Sequence, residues 1–239
     1  MSNVFYAPGE QRAAKVNDLF AAIARRYDLL NDLQSFGLHR RWKRRVINLA
    51  NPQPGARALD VCCGTGDLAL GLARRGAQVI GLDFSEAMLA LARSRSRKLK
   101  DDATQFIQGD AQQIPFSDNS FDIVTVGYGL RNLSSWDAGL AEICRVARPG
   151  GRLVVLDFGK PPNRLWRAVY FAHLKISVPL IGRWFCGNAP AYAYILESLK
   201  HYPAQAGVAE KMRQLNLANV SVINLLGGAM AINYGERPV

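Results

Sequence analysis

The chain has 239 residues, 49% of them hydrophobic and 21% charged, with 30 Lys and Arg against 19 Asp and Glu for a formal net charge of +11. Such a chain is long enough for one well-cored domain and too apolar to remain disordered. Its four cysteines form no Cys-x-x-Cys pair and its three histidines are scattered, so no metal site is expected. Free cysteines without an export signal lead to the expectation of a reducing, cytoplasmic compartment.

Val16, Leu19, Phe20, Ile23, Tyr27 and Leu30 recur at helical spacing, which predicts an amphipathic N-terminal helix that either covers a core or closes over substrate. Next comes the most informative stretch, Ala58–Ala69, ALDVCCGTGDLA. A short apolar run ends in a small-residue loop with Gly64, Thr65 and Gly66, and a helical pattern opens at about Asp67. Strand, glycine turn and helix in that order bring backbone close to a ligand. A second strand, Gln78–Leu82, ends in Asp83, which lies 17 residues after Gly66 and is followed by Phe84. A carboxylate there can accept both hydroxyls of a ribose. The third strand, Thr104–Gln108, leads to Gly109-Asp110-Ala111; Asp110 could accept from an adenine amino group and Ala111 leaves room for the ring. The fourth, Phe121–Val126, runs into Gly127 and Tyr128; Arg145–Gly151 ends a helix and turns into a fifth, Arg152–Phe158.

Beyond Phe158 the pattern changes. Leu165–Cys186 is aromatic and aliphatic, but Arg167, His173, Lys175 and Arg183 interrupt it and Pro179 should kink it, so it is not a simple membrane span. It reads either as two short helices completing a core or as an apolar groove for a hydrocarbon tail. Pro203–Leu215 reads as a helix, and Val220–Leu225 with Ala229–Tyr234 as a hairpin through Gly227-Gly228. The whole is one α/β domain: 1–50 a helical lid, 51–160 a cofactor-binding core, 161–202 a helical insert, 203–239 the last helix and hairpin.

The glycine pattern also fits a dinucleotide, but Asp60 in the first strand and Asp67 at the helix start would repel a pyrophosphate. They suit an ammonium, which S-adenosylmethionine carries beside its sulfonium and ribose. These pieces together resemble the class I S-adenosylmethionine-dependent methyltransferases, which implies a Rossmann-like, mostly parallel seven-stranded sheet with a terminal antiparallel hairpin. The cofactor residues are then Asp60, Gly64, Thr65, Gly66, Asp83, Phe84, Asp110, Ala111 and Gly127.

Two further segments narrow the resemblance. Tyr27-Asp28-x-x-Asn31-x-x-x-Ser35-x-x-x-His39-x-x-Trp42 and Gly129-Leu130-Arg131-Asn132 look like the C-methyltransferases of ubiquinone and menaquinone biosynthesis. Leu30 and Gln34 depart from that pattern. The ending Leu156-Asp157-Phe158, the pair Gly127-Tyr128, the double cysteine and Ala191-Tyr192-Ala193-Tyr194 resemble the branch that methylates 2-phytyl-1,4-naphthoquinone. The resemblance implies S-adenosylmethionine-dependent ring methylation of 2-phytyl-1,4-naphthoquinol, or else of demethylmenaquinol or a ubiquinone precursor.

A quinone ring is electron-poor, so the reduced quinol should be the nucleophile. Arg131, oriented by Asn132, is a candidate cation for its phenolate; the same Arg could instead anchor its loop in an ion pair. His39 and Asp28 are candidate bases, and Tyr128, Tyr27 and Trp42 candidate walls of the ring pocket. Basic clusters at Arg40–Arg45 and Arg93–Lys100 suit an anionic bilayer surface, nucleic acid, or merely a solvated helix face. Nucleic acid is disfavoured, because no Asn-Pro-Pro-aromatic signature and no placed Pro-Cys pair accompany them. The partner expected is a lipid-soluble quinol, with peripheral membrane contact left open; an RNA methyltransferase or a non-catalytic cofactor-binding protein are the alternatives from other classes.

Overall fold

A computed structural model describes residues 18, 21, 24–186, 198, 199 and 201–239. Val16, Leu19, Phe20 and Ile23 of the N-terminal periodicity, and the Ala191–Tyr194 motif, lie outside the described residues. From Ala24 a 3-10 turn leads into α1 (Tyr27–Ser35) and then α2 (Leu38–Ala50). Phe36 and Gly37 separate them, both at positive φ (49° and 74°), a conformation that ends a helix and turns the chain.

Strands and helices then alternate: β1 (Arg57–Val61), α3 (Asp67–Ala73), β2 (Gln78–Asp83), α4 (Glu86–Leu99), β3 (Thr104–Gln108), β4 (Phe121–Gly127), α5 (Trp136–Val146), β5 (Ala147–Phe158). A long helix α6 (Arg164–Cys186), then α7 (Ala204–Gln214), β6 (Ala218–Leu225) and β7 (Met230–Glu236) complete the order. The seven strands form one sheet in the order β3-β2-β1-β4-β5-β7-β6. All neighbours are parallel except β7, which runs antiparallel to both β5 and β6. The fold is that of the class I methyltransferases, as the strand–glycine turn–helix pattern led us to expect.

Strand periodicity explains the two covered faces. Ala58, Val79, Ile123, Val154 and Leu156 point to the face packed by α2, α3 and α4. Leu59, Leu82, Val124, Val126, Leu153 and Val155 point to the face packed by α5 and α7. Adjacent residues on β1, β4 and β5 thus serve opposite cores, as the period of two requires. Chain order reverses between β1 and β4, which leaves a crevice beyond their carboxyl ends.

Two expectations change in detail. The segment Leu165–Cys186 lies in one continuous helix, α6, with Pro179 inside it, rather than in two short ones; residues 187–197 and 200 of the insert lie outside the described residues. And β5 begins at Ala147, taking the Pro149-Gly150-Gly151 turn in as an irregularity, since Phe121 pairs with Ala147 but Ile123 with Arg152. Among the described residues no helix is long and apolar enough to cross a membrane.

Arg145, at the end of α5, braces the long β3–β4 connection. Its guanidinium bonds Glu142 and Asp118 and donates to the carbonyls of Ile114 (3.0 Å) and Phe116 (2.8 Å). Replacing Arg145 with Ala should lower the free energy of unfolding by about 2 kcal/mol in a urea titration. Arg145→Lys should recover only part of the loss, because an ammonium cannot reproduce the planar fork.

Candidate active site

The crevice is a cleft of about 800 Å³ including its mouth, lined by Tyr27, Cys62, Gly64, Leu82 to Ser85, Met88, Gly109 to Gln112, Gly127 to Gly129 and Asn132 to Ser134. Two non-glycine residues on its wall are held in the left-handed region, Cys62 at φ 55° and Tyr128 at φ 62°. Such conformations are costly and cluster where function demands them.

Asp83 closes the β2 end of the cleft. Its Oδ2 accepts from the Gly64 N–H at 2.8 Å and its Oδ1 from the Ser85 N–H at 2.9 Å. Burial pushes its pKa up and these backbone donors oppose the shift. Each oxygen retains a lone pair for a ligand hydroxyl. Asp110 uses Oδ1 to accept from the Gln112 N–H, 2.8 Å away, and stands beside Ala111 on the opposite wall. Among the described residues, the Tyr128 hydroxyl, Asn132 Oδ1 and the Ser85 hydroxyl are buried without a hydrogen-bond partner. Buried polar atoms are rarely left so, and these lie along a cleft whose acids and small residues match a nucleoside. The donor set fits a cofactor with a ribose, an adenine and a charged tail.

The profile of the ubiE/COQ5 methyltransferase family matches residues 9–237, almost the full length. The chain belongs to the ubiE/COQ5 methyltransferase family. It is 40% identical over 238 residues to the demethylmenaquinone methyltransferase of Desulfitobacterium hafniense, covering 96% of this chain and 92% of that one. It is 39% identical over 236 residues to the ubiquinone/menaquinone biosynthesis C-methyltransferase UbiE of Azotobacter vinelandii, covering 97% and 93%. Among solved structures, phosphoethanolamine N-methyltransferase 2 of Haemonchus contortus with S-adenosyl-L-methionine superposes with a TM-score of 0.62. That match has 17% identity and covers 83% of this chain and 53% of that one, a likeness of fold. The protein is therefore an S-adenosylmethionine-dependent methyltransferase.

Within the methyltransferase, the structure sorts the expected residues. Gly64, Asp83, Phe84, Asp110, Ala111, Gly127, Tyr128, Tyr27 and Asn132 all line the cleft. Asp60 does not. It is 1% exposed, accepts from the Ala69 N–H (3.0 Å) and the Thr125 hydroxyl (2.8 Å), and thereby pins α3 to β4. Burial pushes its pKa up to about 7. It borders a small side cavity that also holds Lys43, Thr65, Asp67 and Tyr27. Gly66 caps α3 at φ 84°, and a Cβ there would lie 2.9 Å from Phe106 Cζ; its role is packing.

The electrostatic argument from Asp67 is corrected. Asp67 is gripped by Lys43 (2.6 Å) and Arg95 (2.5 Å). Burial alone would raise its pKa, yet these two cations hold it at about 2. Two positive charges on one carboxylate do not make a repellent for phosphate. The basic runs, read as surface features, concealed these partners. Asp28 belongs to the same network and does not line the cleft: it accepts from Thr65 Oγ1 (2.9 Å) and Arg95 Nη1 (3.2 Å), fastening α1 to the glycine loop.

His39 likewise lies away from the cleft wall. It is 4% exposed on the inner face of α2, with Nδ1 2.9 Å from the Ser35 hydroxyl, and burial first, then Lys43, lowers its pKa. It joins α1 to α2 and does not line the cleft. Trp42 faces a different groove, with Leu38, Arg41 and Leu225, and does not line the cleft. Arg131 takes the anchoring reading. It pairs with Asp157 (3.1 Å), donates to the Tyr128 carbonyl (2.6 Å), and its guanidinium carbon sits 4.5 Å from the Phe158 ring centroid. It stands behind the wall that Tyr128 and Asn132 present.

Sequence reasoning missed Ser85, Met88, Gln112, Leu133 and Ser134 as lining residues. Met88 had a usable signal, since it follows Ser85 by nearly one helical turn. It also missed a steric pair. A Cβ on Gly129 would overlap Cβ of Cys62 and lie 2.8 Å from its Sγ. Cys62 and Gly129 are therefore chosen together to set the width between the β1 and β4 loops.

Gly129→Ala should destabilise the protein and weaken S-adenosylhomocysteine binding at least tenfold, and adding Cys62→Gly should restore both. A double-mutant cycle should give a coupling of about 1–2 kcal/mol; additive effects would contradict the pairing. Asp67→Asn should cost roughly 2 kcal/mol at pH 7, from the difference between the ordinary value of 3.8 and about 2. A carboxylate depressed by folding stabilises above its unfolded value and loses that contribution as pH falls through its folded one. The gap between wild type and Asp67→Asn should thus close between pH 4 and pH 2 in thermal melts.

Proposed function

We propose that this methyltransferase transfers a methyl group to a ring carbon of a 1,4-naphthoquinol bearing an isoprenoid tail. One observation carries the reading. The cleft wall carries two aromatic rings, Tyr27 and Tyr128, and just behind its surface the Tyr128 hydroxyl and Asn132 Oδ1 are buried without a hydrogen-bond partner among the described residues. A flat ring with para hydroxyls supplies both the stacking surface and the polar groups these atoms lack. The Desulfitobacterium relative supports a naphthoquinol ring by its name. The phytyl tail, and with it conversion of 2-phytyl-1,4-naphthoquinol to phylloquinol, rests on Leu156-Asp157-Phe158, Gly127-Tyr128 and the double cysteine.

S-adenosylmethionine supplies an electrophilic methyl; Asp83 would hold its ribose and Asp110 its adenine. The chain's own residues then prepare the acceptor. Burial raises the Tyr128 pKa well above its ordinary value, so its hydroxyl stays a donor. A hydrogen bond from it to a ring oxygen favours the phenolate, which feeds electron density to the neighbouring carbon; that carbon bonds the methyl as the methyl–sulfur bond breaks to leave S-adenosylhomocysteine, and the ring proton it carried then passes to water, restoring the aromatic quinol. Asn132 is held by its own Nδ2, which donates to the Tyr128 carbonyl at 3.0 Å, leaving Oδ1 for the second ring hydroxyl. Arg131 is a positioning residue, fixing the loop that carries both. Among the residues lining the cleft the only carboxylates are Asp83 and Asp110.

Labelled methyl donor with a panel of reduced and oxidised demethylquinones tests the reading. Label should enter the reduced naphthoquinols and not the oxidised rings; transfer to benzoquinols alone, or to none, would overturn it. Asn132→Ala should lower kcat by about tenfold to a hundredfold while S-adenosylhomocysteine affinity stays within about threefold.

A further inference from the structure

The basic run in α2 divides into two populations. Arg40 pairs with Asp32 and Lys43 with Asp67. Arg41, Arg44 and Arg45 have no ion pair among the described residues and are exposed. They line an open groove with Leu38, Trp42 and Leu225. The spacing 38, 41, 45 and 48 puts these residues on one helical face. Like charges at i, i+3 and i+4 repel, and α2 contains no acidic residue to offset them. The arrangement makes sense if an anion from outside the molecule answers it.

The groove does not end in polar surface. Leu225 leads to Leu226, which is 51% exposed and whose carbonyl accepts from Trp166 Nε1 at 2.9 Å. Trp166 lies on α6 beside an exposed apolar stripe, Leu165 (77%), Val169 (50%) and Ile176 (63%), at one-face helical spacing. Leu225 ends β6, which runs with the parallel strands, so groove and stripe meet at the same end of the sheet as the cofactor cleft. Unanswered cations bordered by aliphatic and Trp side chains match a bilayer interface, where phosphates and hydrocarbon occur together. A nucleic-acid backbone would reward the cations and leave the leucines wet.

We propose that this surface, Arg41, Arg44 and Arg45 with the Leu225–Leu226 and Trp166 edge, docks the enzyme onto an anionic phospholipid bilayer. It holds the cleft mouth at the membrane, whichever ring the enzyme methylates.

Cosedimentation with vesicles tests it. The full chain should pellet with phosphatidylglycerol-containing vesicles, much less with pure phosphatidylcholine, and release as salt rises. At roughly fivefold per cation, the triple variant R41Q/R44Q/R45Q should lower the partition coefficient by about a hundredfold. Leu226→Asn, which suits that residue's φ of 47°, should weaken the salt-resistant part of binding. Both variants should keep the wild-type melting temperature, and should keep wild-type turnover of a short-chain quinol in solution, which separates docking from the proposed chemistry. Three results would overturn the proposal: triple-variant binding equal to wild type, capture of single-stranded RNA in place of vesicles, or a concentration-dependent dimer that covers the stripe and ignores lipid.

Discussion

The methyltransferase depends most on one buried carboxylate. Asp83 ends β2 and takes hydrogen bonds from Gly64 on the β1 loop and from Ser85 at the start of α4. Removing a carboxylate from water is expensive, and backbone donors with fixed directions are what make it tolerable. In return, the β1 and β2 loops are held at one separation. A second separation, between the β1 and β4 loops, is set by the left-handed Cys62 and the side-chain-free Gly129, where only a hydrogen fits between them.

A second layer of charge closes the site from above. Asp28 on α1, Lys43 on α2 and Arg95 on α4 converge on Thr65 and Asp67. The helices preceding β1 are therefore joined to the glycine loop by charged hydrogen bonds, with Tyr27 carried onto the cleft wall as a result. Exposed pairs of this sort contribute little singly; here three partners, Lys43, Arg95 and Thr65, share two carboxylates, and Asp67 and Lys43 are largely buried. Beneath the acceptor end, Arg131 and Asp157 do for the β4 loop what Asp83 does for the β1 loop, each charge matched in the interior.

The sheet was legible because each strand–turn–helix unit announces itself locally: a short apolar run, a small-residue bend, then helical spacing. Strand ends such as Asp83 and Asp110 follow from that register, so their place on the cleft wall could be read as well. What escaped was pairing over long sequence distances. Asp67 invited an argument from its charge, but Lys43 and Arg95, 24 and 28 residues away, cancel it. The choice of an ammonium-bearing cofactor was right for reasons other than the one first given. His39 and Trp42 share a periodic segment with Tyr27, yet helical geometry turns only Tyr27 to the cleft; His39 faces the α1–α2 joint and Trp42 the far groove. A motif shows which residues travel together, not which of them meet the ligand.

The most direct measurement is calorimetric titration of S-adenosylhomocysteine into wild type and Asp83→Ala, with NADH as the competing ligand. The account predicts saturable heat with wild type, affinity lower by at least tenfold in the variant, and no heat from NADH. Equal affinity in the two proteins, or NADH binding that displaces the thioether, would contradict it.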